Sequence, residues 1–361
     1  MPDLLQFKQI SSQRAPRPCD QHWSQVFGLV RSGWLLALFA LTCACARQPD
    51  VVLYCALEQI FAAPLVRRFE QETGLSVRAE FDIEANKTVG LVGRIEAERG
   101  RVRCDVFWNN ELAHTVRLAK AGLLAAYDSP SAALVPKQWR DEKQRWTAFA
   151  ARARVLLVNR ELVDPSRIRS IEDLLLPDLV GKTCMARPLT GTTLTHAGAW
   201  YQVWGEEKTR AWFERLAAGQ VAFEQSNGQV MRLVREGRMA VGLTDTDDAR
   251  VAIAGGYPVV QVVPDQGPEQ AGTLLIPNSI AILEGAPHVD AARKLVDFLL
   301  SEQVESELAR GDSAQIPLRE SVGAPDHVVR AGNLRLMQVD WDALGTQLGP
   351  RSQELAERFL K

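Results

Sequence analysis

A repeated rhythm does most to limit the fold: short β-rich runs alternate with helical stretches in two separate sets, and long extended segments divide the sets. The first set opens with "VVLYCAL" (51–57). In "EQIFAAPLVRRFEQETG", Ile60, Phe61, Leu65 and Phe69 recur near helical spacing and Gly74 supplies a stop. "LSVRAEF", "NKTVGLVGRIEAERG", "CDVFWN" and "ELAHTVRLAKAGLL" continue strand, helix, strand, helix. Such alternation predicts parallel βαβ units. After the long "WTAFAARARVLLVNRELV", a second set runs through "KTCMARP", a helix following "LTGTTLTHAG", "QVAFEQ", "NGQVMRLVREG" and "MAVGLTD". "YPVVQVVPDQG" and "GTLLIPNSIAIL" are extended again, and the tail from Pro287 is largely helical. Two α/β units with two extended crossings between them describe hinged lobes, the first from 50–150 plus 268–361 and the second from 151–267.

The chain's 361 residues suffice for two cores, and 46% apolar with 24% charged residues is a globular balance. A net charge of -2 leaves no electrostatic footprint for DNA or RNA, so nucleic-acid binding is set aside. The start differs in character. In "RSGWLLALFALTCACARQPD", Arg31 precedes an apolar stretch from Trp34 to Leu41 and then small residues, the pattern of an export signal over 31–45. That stretch is about half of the ~20 residues a spanning helix needs. Cys45 after Ala44 resembles a lipid-modified lipoprotein cysteine, although Thr42 and Cys43 depart from the motif, so cleavage with and without a lipid anchor both stand. Residues 1–30 are polar and read as an upstream extension of the gene, with the true start expected near Val30. Of six cysteines, Cys55, Cys104 and Cys184 follow the leader in no zinc spacing. A Cys55–Cys104 bridge and three buried small hydrophobes are both open, the second being the plainer reading.

In open parallel sheets, ligands bind beyond the carboxyl ends of strands, where loops meet helix N-termini carrying partial positive charge. That rule collects Glu58, Glu84, Trp108, Asn110, Thr190 to Thr193, Ser226 to Gly228 and the acidic turn "TDTDD" at 244–248. Thr190, Gly191, Thr192 and Thr193 stand just before a helix, so amides and hydroxyls there could hold an anion or simply cap the helix. Asn227 poses the same choice. Glu58, Asp245 and Asp247 are candidate ligands for a hard cation if they converge, and Glu84 would add to them. The five histidines are scattered and form no metal pair, and GxSxG, Walker and GxGxxG motifs are absent from the sequence. No catalytic constellation is legible.

The stretches "VVLYCALEQIFAAPLVRRFEQETGLSV", "EANKTVGLVGRIEAE", "DVFWNNELAHTVRLAKAGLLAAY", "GKTCMARPLTGTTLTHAGAW", "LVREGRMAVGLTDTDDA" and "GTLLIPNSIAILEGAPHVDAARKLVDFLLS" resemble the ferric-iron-type solute-binding proteins of ABC importers. The resemblance covers Val51 to about Leu318. It implies an α/β, two-lobed periplasmic-binding-protein-like fold of type II with a two-strand hinge. It implies also a periplasmic location, no enzymatic activity, no cofactor, and delivery of cargo to a membrane permease with its ATPase. Ferric relatives hold iron through a tyrosine pair on the second lobe, helped by a histidine, a carboxylate and a bound anion. Here Asp245 to Asp248 stand where the tyrosines would fall, Glu58 lies near the histidine position, and Asn110 beside Glu111 lies near the carboxylate. The sequence has only four tyrosines. The anion half of such a site matches better, through Thr190, Gly191, Thr192 and Asn227. Expected cargo is therefore Fe3+ or a small anionic solute, with a phosphorylated organic molecule as the alternative: phosphate on Thr190 to Thr193, hydroxyl or amine groups on the acidic turn, and Trp108 as an apolar wall. An enzyme on the same bilobal fold, and a sensor that signals to a membrane receptor, are readings of other classes.

Overall fold

A computed structural model describes residues 48–82 and 89–359; the leader with Cys45, and Glu84, lie outside the described residues. The first set of elements is β1 (Val51–Cys55), α1 (Gln59–Thr73), β2 (Val77–Phe81), α2 (Val89–Ala97), β3 (Val106–Asn109), α3 (Leu112–Lys120) and the short β4 (Leu124–Ala125). The long β5 (Thr147–Asn159) leads into β6 (Thr183–Ala186), α4 (Gly191–Ala218), β7 (Ala222–Glu224), α5 (Asn227–Arg235), β8 (Val241–Asp245), α6 (Thr246–Ala254) and β9 (Val259–Val262). The chain returns along β10 (Leu275–Leu283) and finishes with α7 (Val289–Leu299), α8 (Glu302–Arg310) and α9 (Trp341–Phe359).

Strand pairing explains the two-lobed form. Strand β1 pairs in parallel with β2 and β3, and β6 pairs in parallel with β7 and β8, giving two βαβ sheets. They are joined through an antiparallel pair, for the strand order is β2-β1-β3-β10-β5-β8-β6-β7. The first half of β5 pairs with β10, Ala153 opposite Leu275, and its second half pairs with β8, Leu156 opposite Leu243. Its 13 residues, all buried, thus run from one sheet into the other. At about 3.3 Å per residue the strand spans about 40 Å, enough to cross both lobes. A bulge at Pro277 and Asn278 interrupts the β5–β10 ladder, and opposite it Ala150 takes a left-handed φ of 41°. Asn278 Nδ2 donates to the Ala150 carbonyl at 2.9 Å, so the irregular backbone keeps a partner.

The apolar sequence runs become core because parallel strands are covered on both faces. Every residue of β1 and of β8 is buried. One cluster joins Leu53, Phe69, Trp108, Phe149 and Leu295, packing α1 and α7 on the first sheet. Another joins Leu156, Met185, Trp200, Phe213 and Leu243 in the second lobe and takes in Leu344, Leu348 and Leu355 of α9. The same helix lies closely on α3: a Cβ on Gly345 would sit 2.8 Å from Val116 Cγ1 and 3.0 Å from the Ala113 carbonyl oxygen. Gly198 of α4 likewise leaves room for Leu344. Helix α9 therefore ties α3 of the first lobe to α4 of the second. Cys55, Cys104 and Cys184 are buried and free, so no bridge joins Cys55 to Cys104.

Candidate functional site

Five strand ends open on one polar recess between the lobes. Glu58 follows β1, Asn110 follows β3, and Thr190 to Thr193 follow β6; Ser226 and Asn227 follow β7, and Asp245 ends β8 with Asp247 and Asp248 just beyond. The topology does this because parallel strands place all their carboxyl ends on one edge, and the antiparallel β5–β10 junction turns the two edges toward each other. Helices begin at the same edge. The N-caps of α1, α4 and α6 are Glu58, Thr190 and Asp245, and none makes a side-chain cap bond; in the first turns, the Asp248 amide of α6 donates to Asp247 Oδ1 at 3.1 Å and the Phe61 amide of α1 to the Glu58 carbonyl at 2.9 Å. Two other N-termini are closed by their own caps: Ser226 Oγ accepts from the Gln229 amide, and Glu111 accepts from the amides of Ala113 and His114.

The floor is a network of side chains around Asp245. Arg154 Nη1 donates to Asp245 Oδ1 at 2.6 Å and to Thr192 Oγ1 at 3.1 Å. The Thr192 hydroxyl donates to Asp245 Oδ2 at 2.7 Å, and Asn227 Nδ2 reaches the same oxygen at 3.0 Å. Thr193 Oγ1 donates to Asn227 Oδ1 at 3.2 Å. Burial pushes the Asp245 carboxyl up, but Arg154 and Arg152 together with the Thr192 hydroxyl outweigh it and hold the group below the ordinary carboxylate value. His196, buried behind Arg154, is driven well below the usual imidazole range by burial and by that guanidinium, so it stays neutral.

A second arginine spans the lobes. Arg152 Nη1 donates to Asp247 Oδ2 at 3.1 Å, and its Nη2 donates to the Asn110 carbonyl at 2.6 Å. Asp247 belongs to the second lobe and Asn110 to the first. Burial opposes the Arg152 charge, yet Asp247, Glu58 and Asp245 hold it ionised, above the ordinary arginine value. One more direct bond crosses the same gap, from Thr195 Oγ1 on α4 to Glu111 Oε2 at 2.8 Å. Asp245, Asp247 and Asp248 each bring an oxygen to within 4.8 Å of one another, a spacing compatible with a hard cation. Two of these three carboxylates already carry an arginine.

The recess thus gathers Glu58, Asn110, Thr190, Gly191, Thr192, Thr193, Asn227, Asp245 and Asp247. Trp108 is elsewhere. It is fully buried, tilted against Phe149 at 5.4 Å in the first-lobe core, because on β3 it faces α7 and not the cleft; the expected apolar wall is corrected to a core residue. The sequence reading missed three cations: Arg152 and Arg187, which line the recess, and Arg154 beneath it. A signal existed for two of them. In "ARARVLLVN", Arg152 and Arg154 interrupt an apolar strand two residues apart, so both point to one face, and a charge there has to meet a partner. Arg187 is exposed at the end of β6.

Known proteins agree with this architecture. Iron uptake protein A1 of Synechocystis is 25% identical over 322 residues, spanning 86% of this chain and 87% of that protein. The periplasmic binding protein AfuA of Actinobacillus pleuropneumoniae, solved with fructose-6-phosphate, superposes with a TM-score of 0.75 at 22% identity, over 85% of this chain and 97% of its own. Iron-bound HitA of Pseudomonas aeruginosa superposes with a TM-score of 0.76 at 23% identity, over 84% and 98%. These likenesses give the fold, the two-lobed type II form. Residues 51–310 match the family model described as bacterial extracellular solute-binding protein, so a cleft between two lobes, built from strand ends, is here the cleft of a member of that family.

Proposed function

We propose that this chain captures a small anion-bearing solute in the periplasm and delivers it to an ABC permease with its ATPase, without chemical turnover. The observation that carries the reading is the convergence of three helix N-termini, those of α1, α4 and α6, on a recess also lined by Arg152 and Arg187. Backbone amides and guanidinium groups together favour phosphate or carboxylate oxygens. Glu58 and Asp248 then suit hydroxyl or amine groups of the same molecule, which makes a phosphorylated organic solute the best fit. AfuA with its fructose-6-phosphate is a precedent in a neighbouring structure. Contacts from Asn110 and Glu58 on one lobe and from the Thr190 to Thr193 turn, Asn227 and the acidic turn on the other favour the closed form, and closure presents a surface to the permease.

A ferric complex is the second reading, supported by the spacing of Asp245, Asp247 and Asp248 and by the iron-related names of relatives. Iron would be held without phenolate, since none of Tyr54, Tyr127, Tyr201 and Tyr257 lines the recess. Native mass spectrometry of protein purified from its own envelope separates the readings: the expected result is a co-purified organophosphate displaced by inorganic phosphate. A co-purified iron atom with an intense phenolate charge-transfer band would overturn both. A screen that detects turnover would overturn the binding role.

A further inference from the structure

We infer that Arg152 sets the charge preference of the cleft: while its guanidinium holds Asp247, two of the three carboxylates of the acidic turn are neutralised and the cleft selects anion-bearing solutes over hard cations. The inference rests on the proposed site and names the residue that decides what that site accepts. Four carboxylates of the recess, Glu58, Asp245, Asp247 and Asp248, would by themselves draw a polyvalent cation. Arg152 is 3% exposed, lines the recess, and is the guanidinium on which Asp247, Glu58 and Asp245 all act. Its Nε is buried with no hydrogen-bond partner among the described residues, and the guanidinium lines the recess where an oxyanion would enter. Arg154 is placed differently. It is 0% exposed and outside the recess lining, and its bonds to Asp245, Thr192 and Thr193 support the floor. The position of Arg152 on β5 adds a consequence. Its Nη2 already grips the Asn110 carbonyl of the other lobe, so an oxyanion on Arg152 would share the group that spans the lobes.

The test uses two probes on the whole folded chain: inorganic phosphate by calorimetry, and Tb3+ by luminescence. In Arg152→Met, phosphate affinity is expected to fall at least tenfold and Tb3+ affinity to rise at least tenfold, shifting their ratio about a hundredfold. In Arg152→Met/Asp247→Asn the Tb3+ gain is expected to vanish, because the carboxylate released by the first change is gone. The double variant also removes the charge imbalance, and so serves if the single variant does not fold: phosphate lost with Tb3+ at the wild-type level supports the inference, and phosphate binding at full strength overturns it. A ratio unmoved in a folded Arg152→Met overturns the inference alone. A wild-type chain that binds neither phosphate nor any co-purified solute, while Arg152→Met still gains Tb3+, would instead sink the anion reading of the site and leave the role of Arg152 intact.

Discussion

Two of the buried arginine–carboxylate pairs among the described residues share nearly equal geometry and differ in their surroundings. In the cleft, Arg154 meets Asp245 at 2.6 Å, with side-chain exposures of 0% and 4%. In the first lobe, Arg319 meets Glu305 at 2.7 Å, with exposures of 1% and 0%. Glu305 spends its other valences on backbone, accepting from the amides of Ala150 at 3.1 Å and Leu318 at 2.7 Å, while Arg319 donates to the carbonyls of Ser131 and Leu300. Asp245 is surrounded by side chains, Thr192 and Asn227. A pair anchored to backbone is a staple whose removal unravels chain path, and a pair anchored to side chains can rearrange around a guest. Asp265 makes a third case. It is 4% exposed, its partners are the Ser170 hydroxyl at 2.5 Å and the Ile171 amide, and burial pushes its carboxyl up to about 6.

The contrast can be broken at its strongest point first. Glu305→Ala leaves Arg319 buried without its partner and should lower unfolding free energy by about 3–5 kcal/mol in urea, with solute affinity in the folded fraction unchanged. If stability is kept and affinity lost, the staple has been misassigned. Arg154→Met/Asp245→Asn should do the reverse, removing the pair at a stability change within about 2 kcal/mol while solute affinity falls a hundredfold or more, as isothermal titration would read. Asp265 sharpens the comparison through pH. Its folded state keeps a proton that the unfolded chain has released above the ordinary carboxyl value of 3.8, so its contribution to stability falls as pH rises from about 4 to about 6 and is flat above. Asp265→Asn should abolish a slope worth about 2–3 kcal/mol across that window, measured by denaturant titration at fixed pH values. The smallest effect belongs to the rim: Arg187→Gln should leave stability within about 0.5 kcal/mol and slow anion association severalfold at low salt, a difference that fades as salt is added.

Much of the architecture was legible because periodicity and chain order carry it. The alternation around "VVLYC" and "MAVGL" gives β1 and β8, and the rule about strand ends then places Glu58, Thr190 to Thr193 and Asp245 on one edge without any knowledge of contacts. What stayed hidden depends on pairing at a distance. Arg154 and Arg152 are 91 and 95 residues from their aspartates, and nothing local in "ARARV" says which carboxylate each will meet. In sequence the acidic turn shows only its carboxylates, because the arginines that meet Asp245 and Asp247 come from far upstream. Trp108 failed for a simpler reason: alternation along β3 allows either face, and only the arrival of α7 from far along the chain decides which face is core.

The last helix has a consequence for how the protein can be handled. Because α9 is wedged at Gly345 against α3 of one lobe and at Leu344 against Gly198 of the other, the last helix buttresses both halves at once. Proteolytic loss of the final twenty residues would take Leu344, Leu348 and Leu355 out of the second-lobe core and remove the helix that packs on both α3 and α4.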